Sequence, residues 1–205
     1  SCKDIILENT IILHRINKIN ELKKIDTKYG VEVDVRSFKD KLICSHDPFL
    51  KGDNFDDWIK EFNHKFLILN IKEEGIEKKL IEIMKFYKIK NFFLLDVTFP
   101  FIFKLSIKDF KNLAYRISDL ENFNENIFTK LKIKWVWLDT FYEFSDNLIN
   151  KINRLKQKHK LKFCLCSPEL HMSRDIKISN KILEKIYSSK LKFDAICTKN
   201  PKLWF

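Results

Sequence analysis

Glycine and proline, the residues that most often interrupt regular structure, are scarce: the 205-residue chain has 3 glycines and 4 prolines. Average proteins contain about 7% glycine and 5% proline, so collagen-like and glycine- or proline-rich low-complexity classes are excluded. Long apolar runs are missing too. No stretch approaches the roughly 20 apolar residues of a membrane span, and the run at 11–13 is too short for the core of a signal peptide. We therefore expect a soluble, cytoplasmic protein without a transmembrane segment.

The cysteine pattern lacks the spacing of a disulfide framework or a metal-binding finger. Cysteines stand at 2, 44, 164, 166 and 197, an odd number with no CxxC pair. Cys164 and Cys166 alternate along an apolar run, which places both on one face of a strand. We predict buried free thiols, which fits a reducing compartment.

Acidic residues are outnumbered, with 28 against 39 basic residues and a net charge of +11. Such a balance fits nucleic-acid binding, the steering of small anions into a site, or solvated helix faces. Nucleic acid is the least favoured partner, because the aromatic residues lie within apolar runs and not in an exposed stacking platform. The charge balance alone leaves two explanations open, the steering of a small anionic substrate and solvated helix faces. The sequence leaves the oligomeric state open between monomer and dimer.

Short apolar runs alternate with helical patterns along the whole chain. Eight runs are predicted as strands, and they open at Ile11, Val31, Phe66, Phe92, Leu113, Trp135, Leu161 and Phe193. The first helical pattern covers 16–25, with Gly30 at its C-terminal end. Strands that alternate with helices indicate a parallel sheet. Eight units predict one α/β domain over 1–205, a (β/α)8 TIM barrel without an inserted domain. The alternative is an open doubly wound sheet.

Polar residues collect where the predicted strands end. The set comprises His14, Arg15, Glu32, Asp34, Asn70, Lys72, Asp96, Arg116, Asp139, Ser167, Glu169, Thr198 and Lys199. Solvation of a strand end would explain any one of them. Active sites of (β/α)8 barrels are built from this end of the strands, so the whole set predicts a site there.

Glu32 and Asp34 form a pair of carboxylates separated by one residue. On a strand their side chains point the same way, and two like charges on one face repel unless a cation or a proton lies between them. Oxygen donors suit Mg²⁺ or Ca²⁺ better than Zn²⁺. The pair therefore predicts a divalent metal site.

His14 and His46 form a second candidate group. Two imidazoles in one pocket can divide acid and base work near neutral pH, and phosphoryl chemistry also needs cations for the phosphate oxygens. Candidate cations are Arg15, Arg36, Lys72 and Arg116, where arginine offers a bidentate grip. We assign His64, His159 and His171 to structural roles.

The pattern of His14-Arg15, Glu32-x-Asp34 and His46-Asp47 resembles the glycerophosphodiester phosphodiesterase family, part of the superfamily that includes the phosphatidylinositol-specific phospholipases C. The HR…ExD…HD pattern covers roughly the first quarter of the chain, and Asn70-x-Lys72 extends it to about a third. The resemblance implies a barrel fold and metal-dependent hydrolysis of a phosphodiester to an alcohol and a phosphomonoester, in some cases through a cyclic phosphate.

The resemblance also implies roles for individual residues. His14 and His46 would be the acid–base pair. Arg15 would bind the phosphate, Lys72 would contact the phosphate or the metal-bound oxygens, and the resemblance implies a metal site, Mg²⁺ or Ca²⁺, at Glu32, Asp34 and Asn70. Arg116 is predicted as a further phosphate ligand from its place after a strand, independently of the resemblance. The chain departs from the family in three ways: Ile16 replaces the usual glycine, the Glu-Asn pair that follows is missing, and Asn70 replaces the third metal carboxylate. Asp96 is an alternative source of that charge.

Two other functions fit the same residues. One is the same chemistry on a glycan- or nucleotide-linked phosphodiester, because a short chain without a lid leaves an open site. The other is a catalytically impaired barrel that acts as a binding module, which the neutral Asn70 suggests.

Overall fold

The structure, a computed structural model, describes residues 9–171 and 175–205. In chain order the strands are β1 (Thr10–Leu13), β2 (Gly30–Phe38), β3 (Lys41–Cys44), β4 (Asp53–Asn54), β5 (Leu67–Ile71), β6 (Phe92–Leu95), β7 (Ala114–Ile117), β8 (Trp135–Leu138), β9 (Lys162–Cys166) and β10 (Ala195–Thr198). The helices are α1 (Ile19–Leu22), α2 (Phe55–Lys60), α3 (Glu77–Phe86), α4 (Phe99–Ser106), α5 (Asn126–Lys130), α6 (Asp146–His159) and α7 (Ile176–Ser189). Short 3₁₀ turns cover Pro168–Leu170 and Pro201–Trp204.

One central sheet contains all ten strands, and the parallel arrangement is confirmed. Parallel pairs run in the order β7-β8-β9-β10-β1-β2-β5-β6. The β3 and β4 strands extend β2 as an antiparallel ribbon. The two ends of the parallel series, β6 and β7, meet through a parallel bridge between Leu94 and Leu113. The class is therefore mixed α/β, and all eight parallel strands end at the same edge.

The two faces of the sheet bury different residues. One face packs against the helices and forms the larger apolar cluster, which includes Val33, Leu69 and Phe163. The other face holds a compact cluster that mixes small or sulfur-containing residues with large rings, among them Cys164, Cys197, Ala195, Trp135 and Phe93. On β2 this second face carries Glu32 and Asp34, because the Val31, Val33 and Val35 side chains occupy the first face.

The cysteines of the described residues confirm the expected thiols. Cys44, Cys164, Cys166 and Cys197 are free and buried, and Cys2 lies outside the described residues. No helix in 9–171 and 175–205 is long and apolar enough to span a bilayer.

The first predicted helix was too long, and its predicted end was wrong. The pattern over 16–25 yields only α1, because tertiary contacts take the preceding backbone donors: Ile16 N–H donates to the Glu32 carbonyl at 2.7 Å, and Ile19 N–H donates to Asp53 at 2.7 Å. Gly30 does not end this helix but begins β2. A β-carbon there would lie 2.8 Å from Ile12 Cγ1, so close packing explains the glycine.

Sequence patterns were more reliable for α6, which begins as expected after Ser145. The Ser145 hydroxyl accepts from Leu148 N–H at 3.2 Å, a standard N-cap. The six-residue helix α2 was missed because the pattern over 55–60 is short. Asn54 caps it by accepting from the N–H groups of Asp56 and Asp57.

Two helices end in a left-handed lysine, at a position where glycine is usual: Lys160 after α6 and Lys190 after α7. Replacing such a lysine by glycine should therefore stabilise the protein. Lys160 ends α6 with φ 52° and ψ 36°. We expect Lys160→Gly to raise the free energy of unfolding by about 0.5–1 kcal/mol, because glycine adopts this conformation without the β-carbon penalty. Chemical denaturation measures it. Gln157→Gly, inside the helix, should instead lower stability by about 1 kcal/mol; equal effects of the two would contradict the argument.

Candidate active site

The chain turns sharply after β1, and this turn aims a backbone donor at Glu32. Arg15 has φ 57°, a left-handed conformation that arginine rarely adopts. Its N–H donates to Glu32 Oε2 at 2.6 Å, and His14 Nε2 lies 3.6 Å from the same oxygen. Buried Trp58 fixes the turn, since its indole N–H donates to the Ile16 carbonyl at 3.0 Å. One strained backbone residue therefore lies directly beside the candidate site.

Glu32, Asp34 and Asn70 lie together at the carboxyl end of the buried sheet face. Glu32 is 0% exposed and Asp34 1%. Asp34 is in register with Asn70 across the β2–β5 pair. The Asn70 amide donates to Glu32 Oε1 at 3.2 Å, and its carbonyl Oδ1 is buried with no hydrogen-bond partner. The three predicted ligands are therefore adjacent and buried, and one acceptor, Asn70 Oδ1, lacks a hydrogen-bond donor.

The electrostatics of Glu32 and His14 favour their neutral forms in the absence of a cation. Burial, followed by the nearby Asp34 charge, raises the pKa of Glu32 to about 8. Burial, followed by the charge of Arg15, lowers the pKa of His14 to about 4; Lys199 and His46 act in the same direction. The contact between His14 and Glu32 is accordingly a neutral one at pH 7 and not an ion pair.

Asp34 is the point at which polar side chains converge. The Asn17 side chain makes two hydrogen bonds to Asp34: its Nδ2 donates to Asp34 Oδ2 at 2.9 Å, and its Oδ1 accepts from Asp34 N–H at 2.9 Å. Lys72 Nζ lies 3.4 Å from Asp34 Oδ1, and Arg15 Nε lies 3.7 Å from Asp34 Oδ2. Two of the predicted phosphate ligands therefore stand beside the predicted metal ligands.

His46 follows β3 and is held from both sides. Its Nδ1 lies 2.8 Å from Asp47 Oδ1, and its carbonyl accepts from the Arg36 guanidinium at 2.8 Å. The hydrogen bond to His46 lowers the pKa of Asp47. The His46 side chain is 37% exposed, and its charge acts on His14. The His14 side chain is thus the more buried of the two, at 16% exposed.

A chain of ion pairs continues around the same edge of the sheet. Asp96 lies between Lys72 and Arg116, with its Oδ2 4.0 Å from Lys72 Nζ. Arg116 also binds Asp139. Burial works against the charge of Arg116, but Asp139 and Asp96 outweigh it and raise its pKa above the usual range. Both arms of this guanidinium already bind carboxylates.

A second group of possible metal ligands comprises Asp139, Cys166 and His171. One ligand atom from each lies within 4.8 Å of the others. His171 Nε2 is 3.3 Å from Asp139 Oδ1, which also accepts from the Trp137 indole N–H at 3.1 Å. Sulfur and imidazole donors suit Zn²⁺ and not Mg²⁺ or Ca²⁺. Arg116 and Trp137 already bind Asp139. We therefore interpret this group as one that holds the Arg116 side chain in position, and not as a metal site.

The trio at Glu32 fits a divalent cation better. All its donors are oxygens, the ligands that Mg²⁺ and Ca²⁺ prefer. Its two buried carboxylates repel each other, and the unpartnered Asn70 Oδ1 supplies a further acceptor. A cation between them would satisfy all three groups at once.

The comparisons with solved structures agree with the fold described above. A glycerophosphodiester phosphodiesterase structure from Agrobacterium tumefaciens strain C58 superposes with a TM-score of 0.66 over 96% of this chain and 99% of that one, at 12% identity. A glycerophosphoryl diester phosphodiesterase from Parabacteroides distasonis gives 0.63 over 99% and 90%, at 11% identity. The chain has the fold of these phosphodiesterases. No protein-family model and no curated protein matches the sequence.

The structure brings together six of the residues that the sequence patterns predicted for the site. His14, Arg15, Glu32, Asp34, Asn70 and Lys72 come together as one group, whereas Arg116 lies farther along the edge among carboxylates. Asn17 was missed as a site residue, although its place three residues after His14 was a usable signal. His171, assigned to a structural role, lies at the same edge and contacts Asp139.

Proposed function

We propose that the chain is a metal-dependent phosphodiester hydrolase that acts on glycerophosphodiesters and releases an alcohol and a phosphomonoester. The observation that carries the proposal is the contact between His14 and a dry Glu32–Asp34–Asn70 group, beside Lys72 and Arg15, in this phosphodiesterase fold. For the fold itself, we infer that the sheet closes into a (β/α)8 barrel. The bridge from Leu94 to Leu113 and the hydrogen bond of 2.9 Å from Leu94 N–H to the Asn112 carbonyl support closure.

Glu32, Asp34 and Asn70 would hold Mg²⁺ or Ca²⁺. When bound, the ion polarises a phosphoryl oxygen and neutralises charge on the phosphate. Lys72 and Arg15 are placed to bind the remaining phosphate oxygens, because both already lie within 3.7 Å of Asp34. In this proposal Arg116 binds the phosphate or the leaving alcohol after it is released from Asp96.

The two histidines divide the proton transfers. His14 is neutral at pH 7, since its pKa is lowered to about 4, so it can accept a proton from the attacking hydroxyl or water at once. His46 is more exposed, and its Nδ1 lies against Asp47. We assign His46 the acid role: as an imidazolium, with Nδ1–H donating to Asp47, it gives its Nε2 proton to the leaving alcohol oxygen.

The test is hydrolysis of glycerophosphocholine and glycerophosphoglycerol with Mg²⁺, with Ca²⁺ and with a chelator. Turnover that needs a divalent ion supports the proposal. A glycerophosphodiester without the neighbouring hydroxyl shows whether a cyclic phosphate forms, because such a substrate cannot cyclise. Absence of turnover for every phosphodiester offered, at every metal condition, would contradict the proposal.

Two alternatives are kept as proposals. One is the same chemistry on a glycan- or nucleotide-linked phosphodiester, and turnover restricted to those substrates would select it. The neutral Asn70 fits a binding module, and divalent binding without turnover of any phosphodiester would select that. We also propose a reducing compartment, the cytoplasm, because the four cysteines among the described residues are free and buried.

Asn70→Asp tests the metal site directly. We expect a roughly tenfold gain in affinity for Ca²⁺ or Mg²⁺, because a third carboxylate adds charge to the ligand set. Without a divalent ion the variant should be less stable than the wild type, since three acids then share one dry site. Calorimetric titration measures the affinity and thermal denaturation the stability. Asn91→Asp, at an exposed position on the opposite edge of the sheet, is the control and should change neither.

A further inference from the structure

Lysine is concentrated at one end of the molecule, opposite the candidate active site. The seven connections that lead from a helix into a parallel strand contain thirteen lysines and four acidic residues. Because the strands are parallel, these connections all lie at the edge where the strands begin; we call this edge the base. The base therefore carries most of the net charge of +11.

The contrast with the opposite edge is sharpest around β6, β7 and β8. The connections that leave these strands contain six acidic residues and neither lysine nor arginine. The three connections that enter the same strands contain six lysines and one acid, Asp109. The charge is thus sorted by position in the fold and is not a general excess of lysine.

Helix dipoles do not account for the whole pattern. A cation stabilises a helix end only within the last turn, whereas many base lysines directly precede strands. Lys65, Lys90, Lys134 and Lys192 lie one to three residues before β5, β6, β8 and β10 and are exposed. Among the described residues, no ion pair engages these four, so no acid within 9–171 and 175–205 neutralises them.

Exposed apolar side chains accompany the lysines. Phe86, the last residue of α3, is 78% exposed, and Ile107, directly after α4, is 64% exposed. Between the strand starts lies a recess of 510 Å³, with Lys162 and Lys192 at its rim and Phe66 and Trp135 among its lining residues. Lysines around exposed large apolar side chains are typical of surfaces that lie at a membrane interface.

We propose that the base docks the protein on an anionic lipid membrane, with lysines against the lipid phosphates and Phe86 and Ile107 in the headgroup layer. Nucleic acid fits less well, because the base offers scattered side chains and no row of exposed rings on which bases could stack. Docking through the base leaves the candidate active site facing the solution, which suits a soluble substrate. The inference stands independently of the proposed activity.

Vesicle sedimentation tests the inference with the full chain. We expect binding to vesicles of phosphatidylcholine and phosphatidylserine, little binding to pure phosphatidylcholine, and release at high salt. The triple variant Lys90→Ala, Lys134→Ala, Lys192→Ala should bind on the order of a hundredfold more weakly. Phe86→Ser should also bind more weakly.

The control removes the same charge elsewhere. Lys78→Ala, Lys79→Ala, Lys181→Ala changes exposed lysines on α3 and α7, away from the base. The inference is overturned if the two triple variants bind equally, or if the wild type ignores phosphatidylserine at low salt. It is also overturned if a fluorescent single-stranded oligonucleotide binds more tightly than the vesicles and depends on the same three base lysines. Circular dichroism confirms that each variant is folded.

Discussion

His14→Asn should lower kcat for a glycerophosphodiester by about a thousandfold, within the range of 10²–10⁴ that a general base contributes. The neutral His14 imidazole beside Glu32 accepts a proton at pH 7, and an asparagine amide cannot. Binding of the divalent ion should persist, because Glu32, Asp34 and Asn70 are unchanged. Steady-state kinetics and a metal-induced rise in melting temperature measure the two effects separately.

The matched control for this prediction is His159→Asn. His159 is the last residue of α6 and lies away from the site, and its Nε2 contacts Glu125 Oε1 at 3.1 Å. This variant should lose a little stability and keep kcat. Equal loss of activity in both variants would show that a general loss of folded protein, and not a missing base, explains the effect of His14→Asn.

Glu32→Gln should lower kcat/KM by at least about a thousandfold and yet leave the metal-free protein as stable as the wild type, or more stable. The activity falls because a divalent ion supplies several kcal/mol of transition-state stabilisation, and a neutral amide weakens its binding. Glutamine loses one acceptor, because its amide nitrogen cannot accept the hydrogen bond that Arg15 or Asn70 donates. The stability is kept because glutamine has the shape of Glu32 and stays neutral at every pH, so it avoids the repulsion with Asp34, and this offsets the lost acceptor.

The pH dependence of stability gives a second measurement on the same variant. The pKa of Glu32 is raised from 4.5 to about 8 on folding. Both folded and unfolded states hold the proton below pH 4.5, so the wild type loses stability as pH rises from there through about 8. Chemical denaturation in the presence of a chelator, between pH 4.5 and about 8, should show a falling free energy of unfolding for the wild type and a smaller fall for Glu32→Gln. Parallel curves would contradict the assigned burial of the Glu32 carboxyl.

The candidate site was predictable where its residues follow strands. Glu32 and Asp34 alternate with Val31, Val33 and Val35, and this alternation alone places both acids on one face. The partners from irregular segments were harder to predict. Asn17 contacts Asp34 only because a left-handed Arg15 reverses the chain, and His171 contacts Asp139 from a turn whose course no periodicity describes.

By itself, the sequence determined the alternation of strands and helices, the shared face of the two acids, and the presence of two histidines and several cations after strands. These are local properties, because side-chain direction along a strand follows from its period of two. Only the tertiary structure decided which residue each one meets. It decided that Asn70 leaves one oxygen unpartnered, that Arg116 binds two carboxylates, and that lysines from seven connections share one edge, because contacts between distant segments depend on how the strands are ordered in the sheet.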